Sequence, residues 1–302
     1  MADAARTSEN VDTPKGLAFA MTAYLLWGFL PLYMKAVSHM PALEVVAHRV
    51  IWSVPVAGVV LMYLGRTGDL FAAVRSPRTL LMGCLTAALI TVNWGVYVWS
   101  IATDRALDAA LGYYINPLFS IALAAVLLGE KLSRLQWVAV GLAAAAVGVL
   151  WIDAGALPWP ALTLTISWGF YAFFKKSLPV GPNQGFLLEV LILTIPATGF
   201  LIWQAVNGGS HFGSEVSDTL LLLGCGIVTA VPLLFYANGA KLMRLSTIGI
   251  MQYIAPTLIF LMAVLVFDEP FGKARMIAFP MIWSALIVYS IPMIQDVRNA
   301  RK

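Results

Sequence analysis

Long apolar runs separated by short polar connections dominate the chain. Ten of these runs are long enough to cross a bilayer as helices, which takes about 20 predominantly apolar residues. Several contain a proline, and neighbouring helices can satisfy the carbonyl group that a proline leaves free. The ten predicted spans cover residues 16–37, 43–65, 79–101, 106–129, 134–152, 159–177, 184–206, 218–240, 245–267 and 274–295.

The fourth predicted span returns later in the chain as the ninth. The fourth carries Tyr-Ile-Asn-Pro at 114–117 and closes on Glu130, whereas the ninth carries Tyr-Ile-Ala-Pro at 253–256 and closes on Glu269. Both features recur at an offset of 139 residues. Because each copy has a proline where a helix can bend, we interpret the two motifs as paired gate elements.

The duplication extends beyond these two spans. Trp27-Gly28 in span one returns as Trp168-Gly169 in span six, at an offset of 141 residues. Matches at 141 or 139 run through spans one to four and six to nine, so each repeat has five spans. Because five is odd, the second repeat enters the membrane from the opposite face. The sequence therefore predicts an inverted-topology repeat with a central site between the halves.

The distribution of basic residues predicts the orientation. With the N-terminus in the cytoplasm, fourteen Lys and Arg residues lie at the cytoplasmic ends of the spans and only four at the other ends. Cytoplasmic loops are enriched in these residues, so both termini are expected in the cytoplasm. The four at the other ends are Lys35, Arg105, Lys273 and Arg275.

Composition supports lipid as the solvent and excludes other classes. The 302 residues are 60% hydrophobic and 11% charged, with a mean hydropathy of +0.84. Soluble domains carry about 25% charged residues. The pI of about 9.1 does not indicate nucleic-acid binding, because the basic residues are scattered through short loops. Cys84 and Cys225 show no metal-ligand spacing, and both are expected to be small packing residues.

Several motifs resemble the RarD proteins, which belong to the EamA family of the drug/metabolite transporter (DMT) superfamily. The resemblance spans nearly the whole chain and includes the two span-closing glutamates. It implies ten helices in a bacterial inner membrane, secondary transport, and a central cavity lined by helices one to four and six to nine. The motifs are Trp27-Gly28 with Pro31 and Tyr33, Glu44 with His48 to Ser53, Asn93-Trp94 with Tyr97 and Trp99, Leu111 to Leu118, and Gln252 to Thr257.

Charged groups within spans are the first candidates for function, since each costs about 2.5–3.5 kcal/mol at a helix centre. In span two these are His48 and Arg49, and a salt bridge or snorkelling of Arg49 is the alternative. His48 falls on Glu189 of span seven at the 141 offset, so both repeats place an ionisable group at one level. We predict that His48 and Glu189 couple transport to protons. The alternative for Glu189 is an interfacial pairing with Lys175 or Lys176.

Aromatic and amide side chains converge from both repeats and complete the predicted substrate site. This lining suits an amphipathic organic solute better than an inorganic ion, and aromatic faces can also hold an organic cation. Any single residue of this kind is more often a packing residue, so the prediction depends on their number and their repetition. They are Trp27, Tyr33, Asn93, Tyr97, Tyr113, Asn116, Trp168, Tyr171, Gln252 and Tyr253.

The predicted protein is an all-α integral membrane protein and not an enzyme. We expect a secondary transporter, working as an exporter, of amino acids, metabolites or drugs. It has no GxxxxGK[ST] loop and no predicted cofactor, metal or nucleic-acid partner. Uptake or exchange, or a membrane enzyme, is the alternative, and small residues in span five are compatible with a homodimer. The predicted units are an N-terminal tail at 1–15, repeats at 16–152 and 157–295, and a C-terminal tail at 296–302.

Overall fold

Every regular element in the described part of the chain is a helix. The computed structural model describes residues 12–63, 65, 67–129, 132–240, 242–243 and 245–299. The helices are α1 (Pro14–Ala36), α2 (Ala42–Tyr63), α3 (Thr67–Arg75), α4 (Pro77–Ala102), α5 (Ala106–Leu128), α6 (Arg134–Ala154), α7 (Trp159–Lys176), α8 (Pro182–Val206), α9 (Val216–Ala240), α10 (Leu245–Met251), α11 (Ile254–Leu265) and α12 (Lys273–Asn299).

The helices make ten crossings, as predicted. Within the described residues, nine segments are long and apolar enough to span a bilayer, with α10 and α11 together forming one of them. The tenth crossing is α7, whose 18 residues end in Lys175 and Lys176. At 1.5 Å per residue α7 reaches roughly 27 Å, which is close to the hydrocarbon thickness. An even number of crossings places both chain ends at one end of the bundle, which we call the terminal face. The other end is the distal face.

Helix ends follow local sequence signals. Pro14 is the first residue of α1, and the Thr13 hydroxyl accepts a hydrogen bond from the Gly16 N–H at 3.0 Å. Gly129 ends α5 in the left-handed conformation, at φ 68°, which favours glycine. Consequently α1 begins two residues before the predicted span, and at the other end α12 continues past the predicted end at residue 295 to Asn299.

The main helix contacts connect the two repeats and occur in mirrored pairs. Helix α1 packs on α9 and α11, and its repeat counterpart α7 packs on α4 and α5. Helix α2 packs on α8, and α5 packs on α11. Helices α6 and α12 pack on each other at the side of the bundle. This is the ten-helix inverted repeat that the sequence predicts, and the homodimer stays a prediction.

Two glycines show the inverted symmetry at the level of side chains. Gly28 of α1 lies so close to Leu258 of α11 that an added Cβ would overlap its side chain. Its repeat counterpart Gly169 of α7 lies equally close to Phe119 of α5. Phe119 and Leu258 are themselves related by the 139-residue offset. Glycine is needed at both positions because only a missing side chain allows the helices to approach this closely.

The ninth predicted span, 245–267, is not one continuous helix. It divides into α10 and α11, with Gln252 and Tyr253 in the turn between them. Pro256 lacks the N–H that would bond the Gln252 carbonyl, and the first turn of α11 tolerates this because its N–H groups have no intrahelical acceptor. The Gln252 side chain donates instead to the Gly249 carbonyl at 2.9 Å. In contrast, α5 continues through Pro117 without a break.

Two further expectations have different outcomes. Glu130, the predicted counterpart of Glu269, lies outside the described residues, as does most of the predicted N-terminal tail. Cys225 is fully buried, as expected of a packing residue. Cys84 is exposed on α4, so its prediction as a packing residue is wrong. The expectation failed because small size alone does not indicate which face of a helix contacts its neighbours.

Candidate functional site

A cavity of about 140 Å³ lies between the two repeats. Its wall combines aromatic rings, amide groups and one cation with aliphatic side chains. Repeat-related positions contribute from both halves, including Trp27 with Trp168 and Tyr113 with Gln252. The lining residues are Tyr24, Trp27, Leu30, Arg49, Asn93, Trp94, Tyr97, Tyr113, Asn116, Trp168, Thr229, Leu233, Tyr236, Gln252, Ala255, Pro256 and Ile259.

Eight of the thirteen predicted substrate-binding residues line this cavity. They come from six of the helices and from the turn between α10 and α11. The structure therefore brings together residues that are up to 225 positions apart in the chain, from Trp27 to Gln252. The eight are Trp27, Arg49, Asn93, Tyr97, Tyr113, Asn116, Trp168 and Gln252.

Aromatic rings form two groups on the cavity wall. In one group, the Tyr236 ring lies 5.9 Å from the Tyr24 ring and 5.5 Å from the Trp27 ring. In the other, the Tyr113 ring lies 5.9 Å from Tyr97 and 6.4 Å from Trp168. Rings at these separations pack on one another and still present faces or edges to the cavity, where an apolar part of a solute can lie against them.

Asn93 lines the cavity but its polar atoms already have protein partners. Its Nδ2 donates to the Leu164 carbonyl and to the Ser167 hydroxyl, both at 3.1 Å, and its Oδ1 accepts from the Tyr113 hydroxyl at 3.2 Å. Asn93 therefore fixes α4 against α7 and holds the Tyr113 ring in place. Asn116 differs, because its Oδ1 is buried without a protein partner and is free to accept from a ligand.

Arg49 is the cation of the cavity wall. It is 3% exposed, and its Nε donates to the Thr229 hydroxyl at 2.9 Å. Its guanidinium carbon lies 4.8 Å from the centre of the Trp94 ring, which is a favourable cation–π distance. Its Nη1 has no hydrogen-bond partner.

His48 and Tyr33 lie away from the cavity, towards the distal face. His48 Nδ1 accepts from Trp52 Nε1 at 3.0 Å, and its ring stacks on Phe212 with 5.0 Å between ring centres. The Tyr33 hydroxyl donates to the Leu221 carbonyl. Both side chains thus contact α9 or the connection before it.

Glu189 and Tyr171 form a separate polar group near the terminal face. Lys175 Nζ lies 2.6 Å from Glu189 Oε1, and the Tyr171 hydroxyl donates to Oε2 at 3.2 Å. This is the lysine pairing that the sequence left as the alternative for Glu189. Tyr253 also lies outside the cavity lining, at the turn between α10 and α11. The proton-coupling roles of His48 and Glu189 stay predictions.

The cavity wall includes residues that the sequence did not single out as site residues. Tyr236 is the repeat counterpart of Tyr97 at the 139 offset, and Leu233 is the counterpart of Trp94 at the same offset. Applying the repeat to the predicted residues would therefore have found both. Tyr24 and Thr229 carried no such signal, because their counterparts are not among the predicted residues.

Two buried carboxylates join the repeats at the distal face. Glu44 of α2 accepts from Gln204 Nε2 at 2.7 Å and from the His211 backbone N–H at 2.8 Å. Glu269, between α11 and α12, accepts from the backbone N–H groups of Ala106 and Leu107. These are the first N–H groups of α5, so the Glu269 carboxylate caps that helix from the other repeat. Burial raises the pKa of the Glu269 carboxyl, against the lowering effect of these hydrogen bonds.

An inverted bundle of ten crossings with a mixed polar and aromatic cavity between its repeats defines a membrane transporter of the DMT type. Residues 14–152 match the EamA-like transporter family. Protein RarD of Streptomyces exfoliatus is 40% identical over 287 residues, covering 95% of this chain and 91% of the relative. An uncharacterized transporter of Vibrio cholerae serotype O1 is 41% identical over 298 residues, covering 98% of both.

The chain belongs to the RarD-like proteins of the EamA family. A crystal structure that is only 19% identical shares the fold, with a TM-score of 0.60 over 95% of this chain and 99% of that one. The family and the multi-pass membrane topology predicted from the sequence are thereby confirmed.

Proposed function

We propose that the protein is a secondary transporter of small amphipathic organic solutes, such as amino acids, metabolites or drugs, and that it works by alternating access. The observation that carries this proposal is the cavity between the repeats, whose wall uses counterparts from both halves. Inverted-repeat transporters place their substrate sites at this interface and often build them around a discontinuous helix. The break between α10 and α11 fits that pattern, because Gln252 and Ala255 beside it both line the cavity.

We propose export as the direction, in a bacterial inner membrane with both termini in the cytoplasm. The excess of basic residues at the terminal face supports this orientation. A fluorescent protein fused after Lys302 should fold and emit, and a phosphatase placed in the connection at 207–215 should be active. The reverse pattern would contradict the orientation. Uptake or exchange uses the same cavity, so solute movement from preloaded cells decides the direction.

The transport proposal is tested with a bulky residue at the cavity wall. Purified protein is first screened by thermal shift against amino acids, nucleosides, polyamines and amphenicols. Every stabilising solute is then tested for counterflow in proteoliposomes. Ala255→Trp should abolish counterflow because Ala255 lines the cavity. Leu265→Trp is the matched control, since this side chain of the same helix is 70% exposed on the outer surface.

Two results would count against a transporter. One is the absence of flux and counterflow for every stabilising solute. The other is counterflow in the Ala255→Trp variant equal to that in the Leu265→Trp variant, which would place the solute path outside this cavity.

A further inference from the structure

Arg49 is held in the cavity wall without a counter-charge. It lies within α2, its Nε is used by Thr229 and its face by Trp94. Neither neighbour carries a charge, and Nη1 has no protein partner. A buried cation is normally paired, because its transfer from water is costly unless another charge compensates it.

The buried acids of the described chain are all engaged elsewhere. No ion pair joins any of them to Arg49, and each has its own donors close by. Arg49 therefore has no protein carboxylate that a rotamer change could bring to it without leaving these donors unmet. The pairs are Glu44 with Gln204 and His211, Asp108 with Arg105 and Arg275, Glu189 with Lys175, and Glu269 with the N–H groups of Ala106 and Leu107.

The positive charge belongs to one repeat only. At the 141 offset Arg49 corresponds to Val190, so the two-fold repetition of the cavity wall is broken at this point. A second free donor lies on the same wall, because the Tyr97 hydroxyl is buried without a partner. The remaining wall includes Leu233 and Ile259, which offer apolar surface. The cavity is thus cationic at one place and apolar or aromatic over much of the rest.

We propose that the cavity takes organic carboxylates. The carboxylate of the solute accepts from Arg49 Nη1 and from the Tyr97 hydroxyl, and the apolar body lies against the aromatic rings. Guanidinium groups suit this role because they present several donors in a fixed plane. The inference rests on the proposed transport function and narrows its substrate class to solutes that carry a carboxylate.

The test uses solutes that differ only in charge. For each of leucine, phenylalanine and tryptophan, the N-acetyl amino acid is the anion, its primary amide is the neutral form and the free-amine amide is the cation. Dissociation constants are measured on full-length protein in nanodiscs, and counterflow is measured in proteoliposomes. The variants are Arg49→Gln, Arg49→Lys and the control Arg134→Gln, which makes the same change at an exposed arginine on α6.

We expect the anion to bind roughly 10- to 150-fold more tightly than its neutral amide, the range spanned by hydrogen bonds to charged groups. Arg49→Gln should remove this preference by weakening the anion and leaving the amide unchanged, whereas Arg134→Gln should keep it. Arg49→Lys retains the charge and should keep part of the preference. It also carries the test if the glutamine variant does not fold, as judged by its elution profile and melting temperature.

The inference is overturned if amides or amines bind as tightly as the anions, or if Arg49→Gln keeps the full preference. Amines or amides that exchange in the wild type but not in Ala255→Trp would leave the transport proposal standing and remove only the carboxylate inference. A panel with no binding and no counterflow in any member would count against both.

Discussion

Replacing Glu44 with alanine tests the contact that joins α2 to the connection between α8 and α9. The Glu44 side chain is fully buried. Its Oε2 lies 2.7 Å from both Gln204 Nε2 and His211 Nδ1, and its Oε1 lies 2.8 Å from the His211 backbone nitrogen. The variant therefore removes one acceptor group and leaves three donors without their partner.

The expected loss of stability is about 3 kcal/mol. A buried donor left unsatisfied costs about 1–3 kcal/mol, and we use the lower end for each of the three. The reason is that the His211 side chain is 32% exposed, so water can reach part of the site. The sum agrees with the roughly 3–5 kcal/mol typical of removing one partner from a buried pair. Glu44→Gln should cost less, since its amide oxygen can still accept one of the three bonds.

The assay combines thermal unfolding with hydrogen exchange. At roughly 2–4 °C per kcal/mol, the melting temperature of Glu44→Ala should fall by about 6–12 °C. Exchange should accelerate in the peptide covering 207–215, because the His211 N–H loses its acceptor. Glu215→Ala is the control, since this glutamate of the same connection is exposed and should change stability by at most about 0.5 kcal/mol.

Equal melting temperatures for Glu44→Ala and Glu215→Ala, with unchanged exchange at 207–215, would refute the reasoning. That result would mean that the carboxylate contacts contribute no net stability. The connection would then be held by other contacts, such as the stacking of Phe212 on His48 and Trp52.

Two other predictions concern protons. His48→Ala and Glu189→Gln should each abolish pH-driven flux while counterflow without a gradient continues, and undiminished coupling in both variants would remove these residues from the mechanism. Burial raises the pKa of Glu269 above its usual 4.5, so the native state binds this proton more tightly than the unfolded state does. The resulting stabilisation is complete below the unfolded pKa and is lost as the pH rises through the native pKa. The melting temperature of the wild type should therefore fall with rising pH relative to Glu269→Gln, and a rise would contradict the assignment.

The positions of the helices could be predicted because lipid imposes one length on every crossing. Spans of the required length, ended by signals such as Gly129 and Ser133, place most helix ends within two residues. The inverted repeat was also readable, since offsets of 139 and 141 residues connect Trp27 with Trp168 and Tyr114 with Tyr253. The ninth span was not readable in the same way. Pro117 and Pro256 look equivalent in the sequence, yet only the second lies beside a break.

The site was only partly predictable, because its function depends on which polar groups are already paired. The sequence identified Arg49, Asn93 and Glu189 as candidates of the same kind. The structure separates them, since Asn93 and Glu189 have protein partners and Arg49 Nη1 has none. No spacing rule indicates this difference, as the partners come from other helices and are distant in the chain.

The break at Gln252 and Tyr253 has a consequence for the transport cycle. A helix interrupted at mid-depth can swing one half about the break, because only a few backbone dihedral angles must change. Its continuous counterpart α5 has to tilt as a single rod, which carries its contacts with α7 and α11 along. The two faces would then open by different motions, a hinge on one side and a rocking movement on the other. Two such motions have different barriers, so the inward and outward half-cycles of this duplicated protein are expected to run at unequal rates.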